Sequence, residues 1–122
     1  MIQIEPIQAF SDNYIWCLYD DSSKQAIVVD PGDAVPVRAA LAENDLHLAG
    51  IFITHHHFDH TGGLDDLLSD KSIPVYGPYN DAIPQITDRV KEGDTVEVLG
   101  TSFTIHEVPG HTLDHIAFYS SN

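Results

Sequence analysis

An apolar run, Ile51-Phe52-Ile53, leads through Thr54 straight into His55-His56-His57-Phe58-Asp59-His60-Thr61-Gly62-Gly63. Residues 48–54 read as a buried strand, so the histidines belong to the loop at its C-terminal end. In an extended segment alternate side chains share a direction. His55 and His57 can therefore converge on one ion, with His56 turned away. Imidazole nitrogen suits zinc at about 2.0–2.1 Å. Asp59 and His60 follow where the chain begins to curl toward a helix, and they can face a second ion. Gly62 and Gly63 permit the tight backbone path this needs.

Two other readings of the cluster are weaker. His56 and His60 have the spacing of a zincin helix, but His57 stands where that motif needs its glutamate base. A solvated histidine-rich loop does not explain why four histidines and an aspartate directly follow a buried strand.

A catalytic zinc ion usually takes three protein donors and leaves a position for water. His111, in Val108-Pro109-Gly110-His111-Thr112, supplies the further donor. It follows a second apolar strand, residues 103–108, and a Pro-Gly turn suits it to reach a cluster at the same sheet edge. The remaining histidines have plainer readings: His47 exposed near a helix end, His106 structural within a strand, His56 a non-ligand, and His115 a candidate support for His111. Cys17 lies in an apolar strand and reads as an inert core residue. Phe10, Tyr14 and Trp16 read as core or sheet contacts, and Tyr76 and Tyr79 as candidates for the mouth of the site.

The rest of the chain alternates short apolar runs with turn signals. Strands are expected at Ile2–Ala9 and at residues 14–19, 26–29, 48–54, 73–76, 95–99, 102–108 and 116–120. A helix is expected over residues 34–44, with Asp33 as its N-cap and Val37 and Leu41 on its apolar face. A shorter helix is expected over 64–69. This order suggests an α/β domain, a sheet with helices on its outer face.

Composition narrows the partners. Nineteen acidic residues against five basic ones give a formal charge of −14, which disfavours nucleic acid and anionic membranes. No apolar run approaches membrane-spanning length, no secretory signal is visible, and a single cysteine excludes an internal disulfide. A cytoplasmic location is the expectation.

The pattern His55-x-His57-x-Asp59-His60, followed by Pro109-Gly110-His111-Thr112, resembles the metallo-β-lactamase superfamily. Ser11-Asp12-Asn13-Tyr14-Ile15-Trp16, Val29-Asp30-Pro31-Gly32 and Val75-Tyr76-Gly77-Pro78 extend the similarity to the glyoxalase II family of hydroxyacylglutathione hydrolases. The resemblance implies an αβ/βα sandwich of two facing sheets with helices outside. It implies two metal ions, usually zinc, with iron or manganese as substitutes. By position His55, His57 and His111 would hold the first ion, and Asp59 and His60 would help hold the second. Asp59 would thereby also hold the nucleophilic water, while Asp30 would orient a ligand without touching metal. The implied reaction is hydrolysis of S-lactoylglutathione to glutathione and D-lactate, a step of methylglyoxal degradation.

The family's bridging aspartate, its last metal-binding histidine and its glutathione-binding helices would fall beyond residue 122. Residues 1–122 are therefore expected to be a metallo-β-lactamase-like domain truncated at its C-terminus. Asp114 also departs from the family, which commonly has glycine there. The alternatives are an inactive metal-binding fragment, or a superfamily relative such as an iron persulfide dioxygenase. The complete protein is expected to be a monomer. For the fragment, loss of the second sheet would uncover an apolar face and invite self-association.

Overall fold

A computed structural model describes residues 2–9, 13–54, 64–69, 73–79, 83–107 and 116–120. The first half of the chain builds a six-stranded sheet in sequential order: β1 (Ile2–Ala9), β2 (Asn13–Asp20), β3 (Gln25–Val29), β4 (His47–Phe52), β5 (Val75–Gly77) and β6 (Asp88–Arg89). The first three strands run antiparallel, and β3 through β6 run parallel. A parallel pair needs a crossover, which α1 (Ala34–Glu43) supplies between β3 and β4. The side chain of Asp33 caps α1 by accepting from the Val35 amide at 3.1 Å. Pro36 is harmless in the first turn, where an amide has no helical partner. The helix buries Ala34, Val37 and Leu41 against the sheet, together with Leu64 and Leu67 of the short helix α2 (Leu64–Leu68).

The other face of this sheet meets a second, antiparallel sheet of β7 (Thr95–Val98), β8 (Thr101–Glu107) and β9 (Ile116–Tyr119). Leu18, Ile27, Phe52 and Val90 pack there against Val96, Phe103, Ile105 and Ile116. Helices, sheet and second sheet thus form three successive layers, in keeping with the expected sandwich. The expectation that a whole second sheet would be missing is corrected. Three of its strands are present, and a groove of about 810 Å³ runs along the apolar face. Trp16, read as a core or sheet contact, sits within β2 between Pro6 and Val29, but it is 47% exposed and lines this groove.

A register shift lets β4 serve both layers. Ala26 pairs with Leu48, but Ile27 pairs with Gly50, so β4 carries one extra residue there. As a result Leu48 and Ile51 both face the helices, while Phe52 faces the second sheet. Glycine leaves room at the shift: a Cβ on Gly50 would lie 2.8 Å from Cδ1 of Ile27, which would have to move. The Phe52 ring then stacks on Phe118 with centroids 4.1 Å apart and meets Phe103 and Tyr76 edge-on at 5.3 and 5.8 Å.

Phe52→Ala removes the centre of this contact. It should lower the unfolding free energy by about 3–5 kcal/mol in urea titration. Val35→Ala, at a position 72% exposed, should stay within about 0.5 kcal/mol of the parent. Equal effects at the two positions would show that the sheets are not joined through Phe52.

Candidate metal centre

The site is built where β3, β4 and β9 meet. At the end of β3 the chain turns through Asp30, whose φ is +51°. Its amide donates to the Phe52 carbonyl at 2.8 Å, which extends the β3–β4 pairing. The Asp30 carboxylate is buried and points along β4. Oδ1 accepts from the Thr54 amide at 2.7 Å and Oδ2 accepts from the Thr54 hydroxyl at 2.5 Å. Both are charge-assisted bonds, and they satisfy a carboxylate that could not otherwise be buried cheaply.

Thr54 is also the junction with the second sheet. Its carbonyl accepts from the Ile116 amide at 2.9 Å. Ile116 is the first residue of β9 and the register partner of Glu107, the last residue of β8. Ile116 is therefore held beside Thr54, with Glu107 as its neighbour across the β8–β9 pair. The segment beginning at residue 55 starts from the same point.

His55, His57, Asp59, His60 and His111 all lie outside the described residues, as do His56, Asp114 and His115. Among the described residues no group of three or more His, Cys, Asp or Glu side chains is arranged to hold a metal. Residues 55–63 nevertheless follow Thr54 in the chain, and residues 108–115 end at Ile116, whose amide is bonded to Thr54. Four imidazoles and a carboxylate make a donor set of the chemistry that zinc takes.

The described histidines fall elsewhere. His47 is exposed where β4 begins. His106 is exposed on β8, with Nδ1 3.1 Å from Glu92 and its ring edge-on to Tyr119. Tyr76 is partly buried against Phe52, and Tyr79 is exposed. Sequence reasoning gave Thr54 no role of its own. Its one local signal is a hydroxyl next to the first histidine, and its partner Asp30 is 24 residues away.

Cys17 is buried among apolar side chains on β2, and loss of solvent, aided by nearby Glu5, pushes its thiol pKa up to about 11. The thiol therefore stays neutral and is no nucleophile for this site. Because its folded pKa is raised, any contribution to stability holds at low pH and is lost as pH climbs from about 9 toward about 11. Iodoacetamide at pH 8 should label the folded chain at least 100-fold more slowly than the urea-unfolded chain. Comparable rates would contradict the burial.

Comparison with known proteins agrees with this architecture. The family model for the metallo-beta-lactamase superfamily matches residues 13–122. A hydroxyacylglutathione hydrolase of Pseudoalteromonas translucida is 53% identical over 119 residues, which is 97% of this chain and 46% of that relative. The chain thus spans about half the length of the curated relatives it matches. Among solved structures, ETHE1 from Myxococcus xanthus superposes with a TM-score of 0.78 at 29% identity, covering 98% of this chain and 53% of that one. The BLEG-1 B3 metallo-beta-lactamase gives a TM-score of 0.80 at 24% identity over 97% of this chain and 67% of that one, a likeness of fold. With the match running from the second strand to the last residue, the chain belongs to the metallo-beta-lactamase superfamily.

Proposed function

We propose that this chain is the metal-binding part of a hydroxyacylglutathione hydrolase, a thioester hydrolase acting on S-lactoylglutathione and related 2-hydroxyacyl thioesters. The observation that carries the reading is the 53% identity to a relative of that name, spread over 97% of the chain. The bond between Thr54, which precedes residues 55–60, and Ile116, which follows residues 108–115, supports it. Residues 1–122 are taken as one metallo-β-lactamase-like unit working in the cytoplasm on methylglyoxal-derived thioesters.

His55, His57 and His111 would hold one zinc ion as neutral imidazoles, and Asp59 and His60 a second. Zinc, when bound, supplies a Lewis acid and a water acidic enough to act as a nucleophile near neutral pH. The protein's own contribution is positional. Asp30 fixes the end of β4 through Thr54, and the Ile116 amide fixes the return of the second segment to the same residue. Asp59 would orient the attacking water from the second ion.

Five basic residues are a poor supply for an anionic glutathione thioester. Lys24 pairs with Asp21 at 2.9 Å, Arg38 donates to the Asp66 carbonyl, and Arg89 donates to the Pro78 carbonyl. Metal charge is the local counterweight to a chain of formal charge −14.

The test is release of glutathione thiol from S-lactoylglutathione by the complete hydrolase that contains residues 1–122, with metal content measured on the same sample. The reading predicts turnover that needs zinc, stops on chelation, and falls by about two orders of magnitude or more in Asp59→Ala. A zinc-loaded complete protein without turnover would overturn it. A single bound iron, with oxygen uptake on glutathione persulfide, would assign the protein to the oxygenase alternative instead.

A further inference from the structure

The hydrogen bonds around Thr54 support a role for the residue that the metal reading alone does not give it. Its amide and hydroxyl both donate to Asp30, and its carbonyl accepts from Ile116. These three groups bind Thr54 to the end of β3 and the start of β9 from its own position just past β4. Such a concentration of bonds is more than strand pairing requires. The amide and carbonyl would serve with any residue, but the hydroxyl bond to Asp30 Oδ2 needs Thr or Ser.

The neighbourhood makes that bond rigid. Asp30 is buried and anchored by its own amide to Phe52. Ile53, immediately before Thr54, is fully buried against the helix layer, and its amide donates to the Tyr76 carbonyl at 2.8 Å. Thr54 is therefore held on its strand side by packing and on its polar side by a fixed carboxylate. Rotation about its backbone would re-aim the segment that starts at residue 55 and break the tie to Ile116 together.

We infer that Thr54 is a positioning residue of the metal centre: its hydroxyl, locked to Asp30, sets the direction in which the chain leaves β4 and keeps that exit in register with the start of β9. This deepens the metal-site reading and rests on it. Thr54 touches neither substrate nor metal in this role. It acts through His55 and His57 on one side and through the connection carrying His111 on the other. Groups that orient metal ligands from behind typically govern about 10–100-fold in metal affinity.

The experiment is zinc affinity of the folded chain, measured by competition with a chromophoric chelator, for the parent, Thr54→Val and Thr54→Ser. Valine keeps the shape and the two backbone bonds but deletes the hydroxyl, and serine restores it. Circular dichroism and urea unfolding of the metal-free forms run in parallel. Thr54→Val should stay folded and bind zinc about 10–100-fold more weakly, with Thr54→Ser returning to within about 3-fold of the parent. Thr54→Val with reduced stability but parental zinc affinity would overturn the inference, because the bond would then serve only the fold. So would a Thr54→Ser variant as weak as valine. If Thr54→Val does not fold, Asp30→Asn gives the same reading from the other partner: weakened zinc binding in a folded variant supports the role, and unchanged binding refutes it. A parent chain that binds no zinc would instead remove the metal-site reading itself.

Discussion

The buried carboxylate of Asp30 is the constraint on which the rest of the site depends. A charge taken out of water must be met by donors, and here one residue, Thr54, provides two of them. That requirement fixes the ends of β3 and β4 relative to each other more firmly than strand pairing alone. It also explains why Asp30 tolerates a left-handed backbone at φ +51°. The turn aims the carboxylate along β4, and a short polar side chain is among the few that adopt this conformation readily.

The second sheet is tied to the same place by two kinds of contact. Below Thr54, the Phe52 ring joins the sheets by stacking on Phe118 and meeting Phe103 edge-on. At Thr54 itself, a backbone bond from Ile116 crosses between them. Apolar packing gives the interface its energy but little direction, whereas the hydrogen bond fixes where β9 begins. The extra residue of β4 beside Gly50 makes both possible by turning Phe52 toward the second sheet while Ile51 and Ile53 stay under the helices. Thr54 therefore sits at a corner that is packed on one side and hydrogen-bonded on the other.

Much of this was legible in the sequence because the signals are local. The strands announced by apolar runs lie close to their expected bounds, and Asp33 caps α1 as its position before an apolar-faced segment suggests. The two-residue strand β6, Asp88–Arg89, carries no apolar alternation and was invisible. Trp16, read as a core or sheet contact from its β-rich run, does sit in the sheet, yet its side chain lines the open groove rather than the core. Burial depends on which layer covers a strand face, and periodicity does not report that. The division into two sheets, and the role of Thr54, depend on contacts between distant residues such as Asp30 with Thr54 and Ile116 with Thr54. The proposed donor residues rest on spacing and chemistry alone, and their convergence is a proposal drawn from the described strand ends that bracket them.

That convergence is tested most directly by X-ray absorption at the zinc edge on the zinc-loaded chain and its His111→Ala variant. Convergence predicts a first shell of nitrogen and oxygen donors at about 2.0–2.1 Å with imidazole outer-shell scattering, and a loss of imidazole scattering when His111 is replaced. An identical spectrum in the variant would mean that zinc is held by residues 55–60 alone, and would contradict the meeting of the two segments at one metal centre.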